Sequence, residues 1–169
     1  GRAVSGDLVH LTLAFIGDVA TTSIPALKAI GDALPGTGAM LEFDTLGAWR
    51  ASGVAWIAPQ QIPAPLQRMH AELRDALANA GFPVDARPFR PHVTLARGHA
   101  GSGLATHPPE KPMRWRVSRY AVAESLPGPP APYRMLKTCS AQTAAGSGMP
   151  PGHDGEEARG DRHGNSRRA

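Results

Sequence analysis

Residues 8–15, LVHLTLAF, and residues 90–97, RPHVTLAR, read as two copies of one pattern. Each sets His-x-Thr-x inside an apolar, β-prone run. Side chains alternate along a strand with period two, so His10 and Thr12 share one face, as do His92 and Thr94. Leu11 and Leu13, like Val93 and Leu95, then point the other way, into a core. Two such strands brought together make a cleft holding two imidazoles and two hydroxyls.

The flanking sequence supports an α+β chain. A first strand is expected over residues 7–16, ended by Gly17-Asp18. Thr21, Thr22 and Ser23 offer oxygens to cap a short helix whose apolar positions are Ile24, Leu27, Ile30 and Leu34. Pro35-Gly36 stops it. Residues 40–46 alternate, with Leu41, Phe43 and Thr45 on one side, and residues 53–58 form a second short strand. The stretch 47–52 between them reads as a hairpin loop. A longer helix is expected over residues 64–80, with Leu66, Met69, Leu73 and Leu77 as its buried stripe. Gly81 caps it and Pro83 prevents its continuation. Beyond the second motif, residues 99–112 read as a loop, 115–124 as a strand, 125–132 as a proline-rich turn and 133–138 as a last strand. The order implies two related lobes built mainly from antiparallel sheet.

The chain has 169 residues, enough for one domain with a real core. Residues 1–140 form that domain. From residue 141 to 169 no periodicity survives, and this tail lacks the apolar surface that would offset its ordering entropy, so disorder is expected. No apolar run is long enough to span a bilayer, and the start does not resemble a signal peptide. Cys139 is the single cysteine, which excludes an internal disulfide and favours a reducing compartment, the cytoplasm. The net charge of +4 mildly favours a phosphate-bearing partner.

Histidine titrates nearest neutral pH, so of two facing imidazoles one can be neutral while the other is protonated. That pairing meets the requirement for concerted general base and general acid catalysis. In-line displacement at phosphorus places the two groups on opposite sides of the phosphoryl centre. Hydroxyls two residues away, Thr12 and Thr94, can donate to its non-bridging oxygens. Arg97 can add a charge-assisted contact. Strict alternation puts Arg97 opposite His92, so it reaches the site only where the strand bends. The scheme demands no metal and no cofactor. There is no phosphate-binding P-loop, no dinucleotide-binding glycine fingerprint and no nucleophile elbow. His70 lies near the buried stripe of its helix and reads as structural. His99 and His107 lack partners at metal-ligand spacing. Trp49, Trp56 and Trp115 read as core or lobe-junction packing, with stacking on a base as the alternative for one of them.

The doubled motif, with HLTLAFIGDV at residues 10–19, RPHVTLAR at 90–97 and the WRVSRYAVAES segment leading to Tyr133, resembles the RNA 2′,3′-cyclic phosphodiesterases, or 2′-5′ RNA ligases, of the two-histidine phosphoesterase superfamily. The resemblance covers residues 8–137. It implies two pseudo-symmetric lobes around a water-filled cleft. It also implies that His10 is the proton donor and His92 the acceptor, that Thr12 and Thr94 hold the phosphate, and that Arg97 fills a basic family position. The implied reaction opens a terminal 2′,3′-cyclic phosphate to a 2′-phosphomonoester. The implied partners are RNA ends, tRNA halves and small cyclic nucleotides, met by a monomer away from membranes. The family's usual opening strand and helix have no counterpart here, so a fold without them is expected. Two other readings stay open: a nucleotide- or RNA-binding module without turnover, and the same chemistry on another cyclic or 2′-5′ phosphodiester.

Overall fold

The structure, a computed structural model, describes residues 1–98, 107–128 and 133–141. In chain order its elements are β1 (Arg2–Ala3), α1 (Ile24–Ala33), β2 (Met40–Phe43), β3 (Thr45–Trp49), β4 (Val54–Ala58), α2 (Ala64–Asn79), β5 (Val93–Arg97), β6 (Met113–Arg116), β7 (Arg119–Ser125) and β8 (Tyr133–Ser140). Strands pair in the order β1-β5-β4-β3, with two further pairs, β2-β6 and β7-β8. Every pairing is antiparallel, which makes this an α+β fold. The expected tail, apart from Ala141, and most of the expected 99–112 loop lie outside the described residues.

The core sits under one face of the four-stranded sheet. Ile57 of β4 and Val93 of β5 meet Leu41 and Phe43 of β2 and Leu66 of α2. Leu41 and Phe43 are fully buried while Met40 and Glu42 are exposed, as the alternation predicts. Burying each such large side chain contributes about 1.5–3 kcal/mol. Leu11 and Leu13 of the first motif pack against the same cluster.

Four expectations need correction. The expected hairpin loop over 47–52 is shorter, because Gly47, Ala48 and Trp49 belong to β3 and pair with Trp56, Ala55 and Val54 of β4. The first motif is not a continuous strand over residues 7–16. The chain instead pairs at β1, makes a 3-10 turn at Gly6–Leu8, and returns to β5 through a single bridge between Leu11 and Val93. The turn shifts the register, so only one residue of the motif regains ladder pairing. The expected strand over 40–46 breaks at Asp44, leaving β2 and β3 in different sheets. The Asp44 carboxylate accepts from the Gln60 backbone N–H at 2.7 Å and from the Thr45 hydroxyl at 3.2 Å, a local alternative to the ladder. The expected strand over 115–124 breaks at Val117 and Ser118, because β6 serves β2 and β7 serves β8.

Helix ends are set by backbone more than by side-chain caps. Thr21, Thr22 and Ser23 form a 3-10 turn ahead of α1, and none of them caps it. At the far end the Tyr120 hydroxyl of β7 lies 3.0 Å from Gly31 O and 2.8 Å from Leu34 O, serving carbonyls that the helix leaves unpaired. Gly81, at φ 79°, ends α2 as expected: its N–H donates to Ala78 O and that of Phe82 to Leu77 O, the Schellman arrangement. No helix among the described residues is long and apolar enough to cross a membrane.

Candidate active site

The Leu11–Val93 bridge determines how the two motifs meet. Both residues point to the core, and both motifs therefore turn their His and Thr to the opposite face of the sheet. Extending that antiparallel register by one residue each way sets His10 beside Thr94 and Thr12 beside His92. Half of this arrangement comes from β5, which is held on one side by β4 and on the other by β1. The other half is a segment anchored at one point.

The two imidazoles are held alike. His10 Nδ1 lies 2.6 Å from Leu8 O, and His92 Nδ1 lies 2.8 Å from Arg90 O. A backbone carbonyl only accepts, so each Nδ1 carries a proton and donates it. That leaves Nε2 as the nitrogen available to a substrate on both rings. Each ring also meets an aromatic neighbour edge to face. Tyr133 lies against His10 at 4.7 Å between centroids, and Trp49 against His92 at 4.6 Å.

Arg97 is brought to this face by an irregularity in β5. Ala96 pairs with Ala55 and Thr94 with Trp56, although Ala55 and Trp56 are adjacent, so Leu95 is an extra residue. Such a bulge reverses the alternation beyond it. Ala96 then shares the face of Val93, and Arg97 comes round to the face of Thr94. Its cross-strand partner is Arg2 of β1.

Thr12 and His92 line a groove of about 600 Å³ together with Trp49 and Phe15. The groove continues past Arg90 to His70 and Arg74 of α2 and to Arg87. His10, Thr94 and Arg97 are outside its lining, on the same sheet face. Phe15 is 79% exposed, which suits an aromatic surface offered to a ligand rather than a core residue. Arg74 is paired with Asp75 and Arg87 with Asp85. The Arg87 guanidinium, forked onto Asp85, pulls that carboxyl down to about 2. His70 stacks on Phe89 at 4.0 Å, and burial, helped by Arg74, lowers its pKa. No group of three or more His, Cys, Asp or Glu that could hold a metal occurs among the described residues.

Trp49 and Tyr133 are the site residues that sequence reasoning missed. The sequence reads Trp49 as core or lobe-junction packing, with base stacking as the alternative for one of the three tryptophans, and Tyr133 only as the start of a strand; neither reading pairs them with the histidines. The signal that finds them is a contact between elements far apart in the chain.

An α+β chain that sets two His-x-Thr segments antiparallel, with both imidazoles on one open face, has the architecture of a two-histidine phosphoesterase. The comparisons narrow this. A model of the 2′-5′ RNA ligase superfamily matches residues 3–127, and the chain belongs to that superfamily. It is 34% identical over 125 residues to the RNA 2′,3′-cyclic phosphodiesterase of Escherichia coli K12, covering 74% of this chain and 70% of the relative. It spans a smaller share, 31–57%, of three further curated relatives with the same name. Among solved structures, E. coli LigT complexed with 3′-AMP matches with a TM-score of 0.71 and 32% identity, over 83% of this chain and 80% of that one. A structure described as a phosphoesterase matches with a TM-score of 0.74 and 30% identity, with the same coverage.

Proposed function

We propose that this chain is an RNA 2′,3′-cyclic phosphodiesterase that works by paired histidine acid–base catalysis. His92 Nε2 takes a proton from water as the water oxygen attacks phosphorus. The bond from phosphorus to the ribose O3′ breaks, and His10 Nε2, protonated at the start, gives its proton to the departing oxygen. The product keeps a 2′-phosphomonoester and a free 3′-hydroxyl. Thr12 and Thr94 donate to the non-bridging oxygens, and Arg97 adds positive charge from the end of β5. Two imidazoles supply both the base and the acid, so the scheme calls on no metal or cofactor.

What supports this reading most is the shared geometry of the histidines. Both commit Nδ1 to a carbonyl two residues upstream, and the Leu11–Val93 bridge sets the two segments side by side. The E. coli relative bears the name of this activity. A groove of about 600 Å³ lies within the range of small-molecule sites, roughly 300–1,000 Å³, and has room for a terminal nucleotide. Arg90 on its far wall suits a phosphate of an RNA end, while Arg74 and Arg87 there are paired with Asp75 and Asp85. A cytoplasmic monomer acting on RNA ends is the setting this reading supposes.

The test is phosphorus NMR of an oligoribonucleotide ending in a 2′,3′-cyclic phosphate, incubated with the protein in excess chelator. The expected result is loss of the cyclic signal and growth of a 2′-monoester signal. A 3′-monoester product, or turnover that chelator abolishes, overturns the scheme. A DNA strand has no 2′-hydroxyl from which to form the cyclic ester and is expected to give nothing.

A further inference from the structure

We propose that Trp49 and Tyr133 are positioning residues for His92 and His10, each fixing the plane of one imidazole so that its Nε2 stays presented on the open face of the sheet. The kinetic readout of this proposal rests on the function proposed above. The structural readout does not.

A histidine ring has two torsions to settle. The hydrogen bond from Nδ1 to a carbonyl two residues upstream restrains one side of the ring, yet the ring can still swing about that anchor. In both motifs the remaining freedom is blocked by an aromatic ring packed edge to face. For His10 it is Tyr133, at an interplanar angle of 68°, and for His92 it is Trp49, at 80°. Edge-to-face contact at this spacing is the preferred arrangement of aromatic pairs. The two aromatic residues come from unrelated places, Trp49 from the end of β3 and Tyr133 from the start of β8. One and the same support has thus been built twice from different parts of the chain. Each keeps about a third of its surface exposed, 37% and 36%, so neither is a core residue that touches a histidine by chance of burial.

Trp49 is itself braced. Its ring packs on Trp56 at 5.6 Å, and Trp56 lies across Gly47, directly opposite on the neighbouring strand. A Cβ at position 47 would sit 2.5 Å from the Trp56 ring, so only glycine lets the indole lie where it does. Trp56 Nε1 is buried without a hydrogen-bond partner. An unpaired buried donor is costly, so packing rather than polar bonding holds this ring in place. The chain of contacts runs Gly47, Trp56, Trp49, His92.

The alternative role for an exposed aromatic beside this cleft is a platform for a nucleobase, and the experiment separates the two. Turnover is measured for Trp49→Leu and Tyr133→Leu on a 2′,3′-cyclic nucleotide and on an alkyl 1,2-cyclic phosphate that has no base. Positioning lowers kcat about 10–100-fold on both substrates, and leaves KM within about twofold. Trp49→Phe and Tyr133→Phe, which keep an aromatic edge, recover most of the loss. A rise in KM confined to the nucleotide, with kcat unchanged, overturns the proposal, as do phenylalanine variants no better than leucine. Trp49→Met and Tyr133→Met replace any leucine variant that does not fold. The second readout is nitrogen-15 NMR of the imidazoles in the free protein. Trp49→Leu is expected to shift the His92 ring signals and leave those of His10, and Tyr133→Leu to do the reverse. Imidazole signals unmoved by either substitution overturn the proposal. If the wild-type chain shows no turnover, the functional reading fails and the imidazole signals alone decide the positioning role.

Discussion

Each imidazole gives its Nδ1 proton to a carbonyl, Leu8 O for His10 and Arg90 O for His92. A ring tied in this way presents a lone pair at Nε2 when neutral and a proton at the same atom when charged. In the mechanism proposed above, base and acid are therefore two states of one geometry, and the side of phosphorus that each ring would face separates their roles. Replacing either ring removes one proton transfer. His10→Ala and His92→Ala are each expected to lower turnover of a 2′,3′-cyclic nucleotide by about 10²–10⁴, roughly 3–5 kcal/mol of barrier. The wild-type rate is expected to be bell-shaped in pH. His92→Ala should lose the rising limb, since the base must be neutral, and His10→Ala the falling limb, since the acid must be protonated. Rates measured across pH for the three proteins check this. The shared face of these two histidines with Thr12 and Thr94 was legible in the sequence because alternation is a local property of a β-prone run. Arg97 was legible only as a conditional, because its face depends on the extra residue Leu95, which the pairing with β4 imposes. Trp49 was legible only as one of three tryptophans that could stack on a base, and Tyr133 only as the start of a strand. Nothing in the spacing of a tryptophan at 49 says that it will meet a ring at 92.

Local pattern foretold the elements better than their breaks. Leu41 and Phe43 alternate into the core as expected, and α2 runs from Ala64 to a glycine stop. The breaks at Asp44 and at Val117–Ser118 arise because neighbouring segments are recruited to different partners, which no single segment encodes. The first motif shows the same limit: its residues are β-prone, but only Leu11 finds a ladder partner. The pairing of β3 with β4 shows how a small residue at one position constrains an element. Gly47 stands opposite Trp56, and an added methyl would press into that rigid ring at 2.5–3.0 Å. Gly47→Ala is expected to cost about 1–3 kcal/mol, the usual range for overpacking, read as a lower midpoint in urea. It should also lower kcat, because Trp56 supports Trp49 and Trp49 meets His92. A variant that loses stability while keeping full turnover would show that the two tryptophans move without disturbing the imidazole.

One sheet divides the molecule into a dry side and a wet side, and α2 ties the two together. Leu66 of α2 enters the core beneath the sheet, while His70, one turn on, stacks on Phe89 and lines the groove that holds His92. This junction makes the fold sensitive to acid. Burial first, and the charge of Arg74 second, hold the pKa of His70 below its ordinary 6.5. The unfolded chain therefore binds this proton at a higher pH than the folded chain does, and stability rises with pH wherever the unfolded state holds more protons. As pH falls through about 6.5 the folded state loses ground, and the loss levels off once folded His70 is itself protonated. Asp85, with its carboxyl held down at about 2, titrates far below this window and adds nothing to it. His70→Phe keeps a ring to stack on Phe89 and removes the proton. Thermal unfolding between about pH 7.5 and 5 is expected to show a smaller fall in Tm for His70→Phe than for the parent. His10, His92 and every other titrating group are common to both proteins, so the difference between the two curves isolates His70. Parallel curves would mean that its burial in the native state costs the charged form nothing.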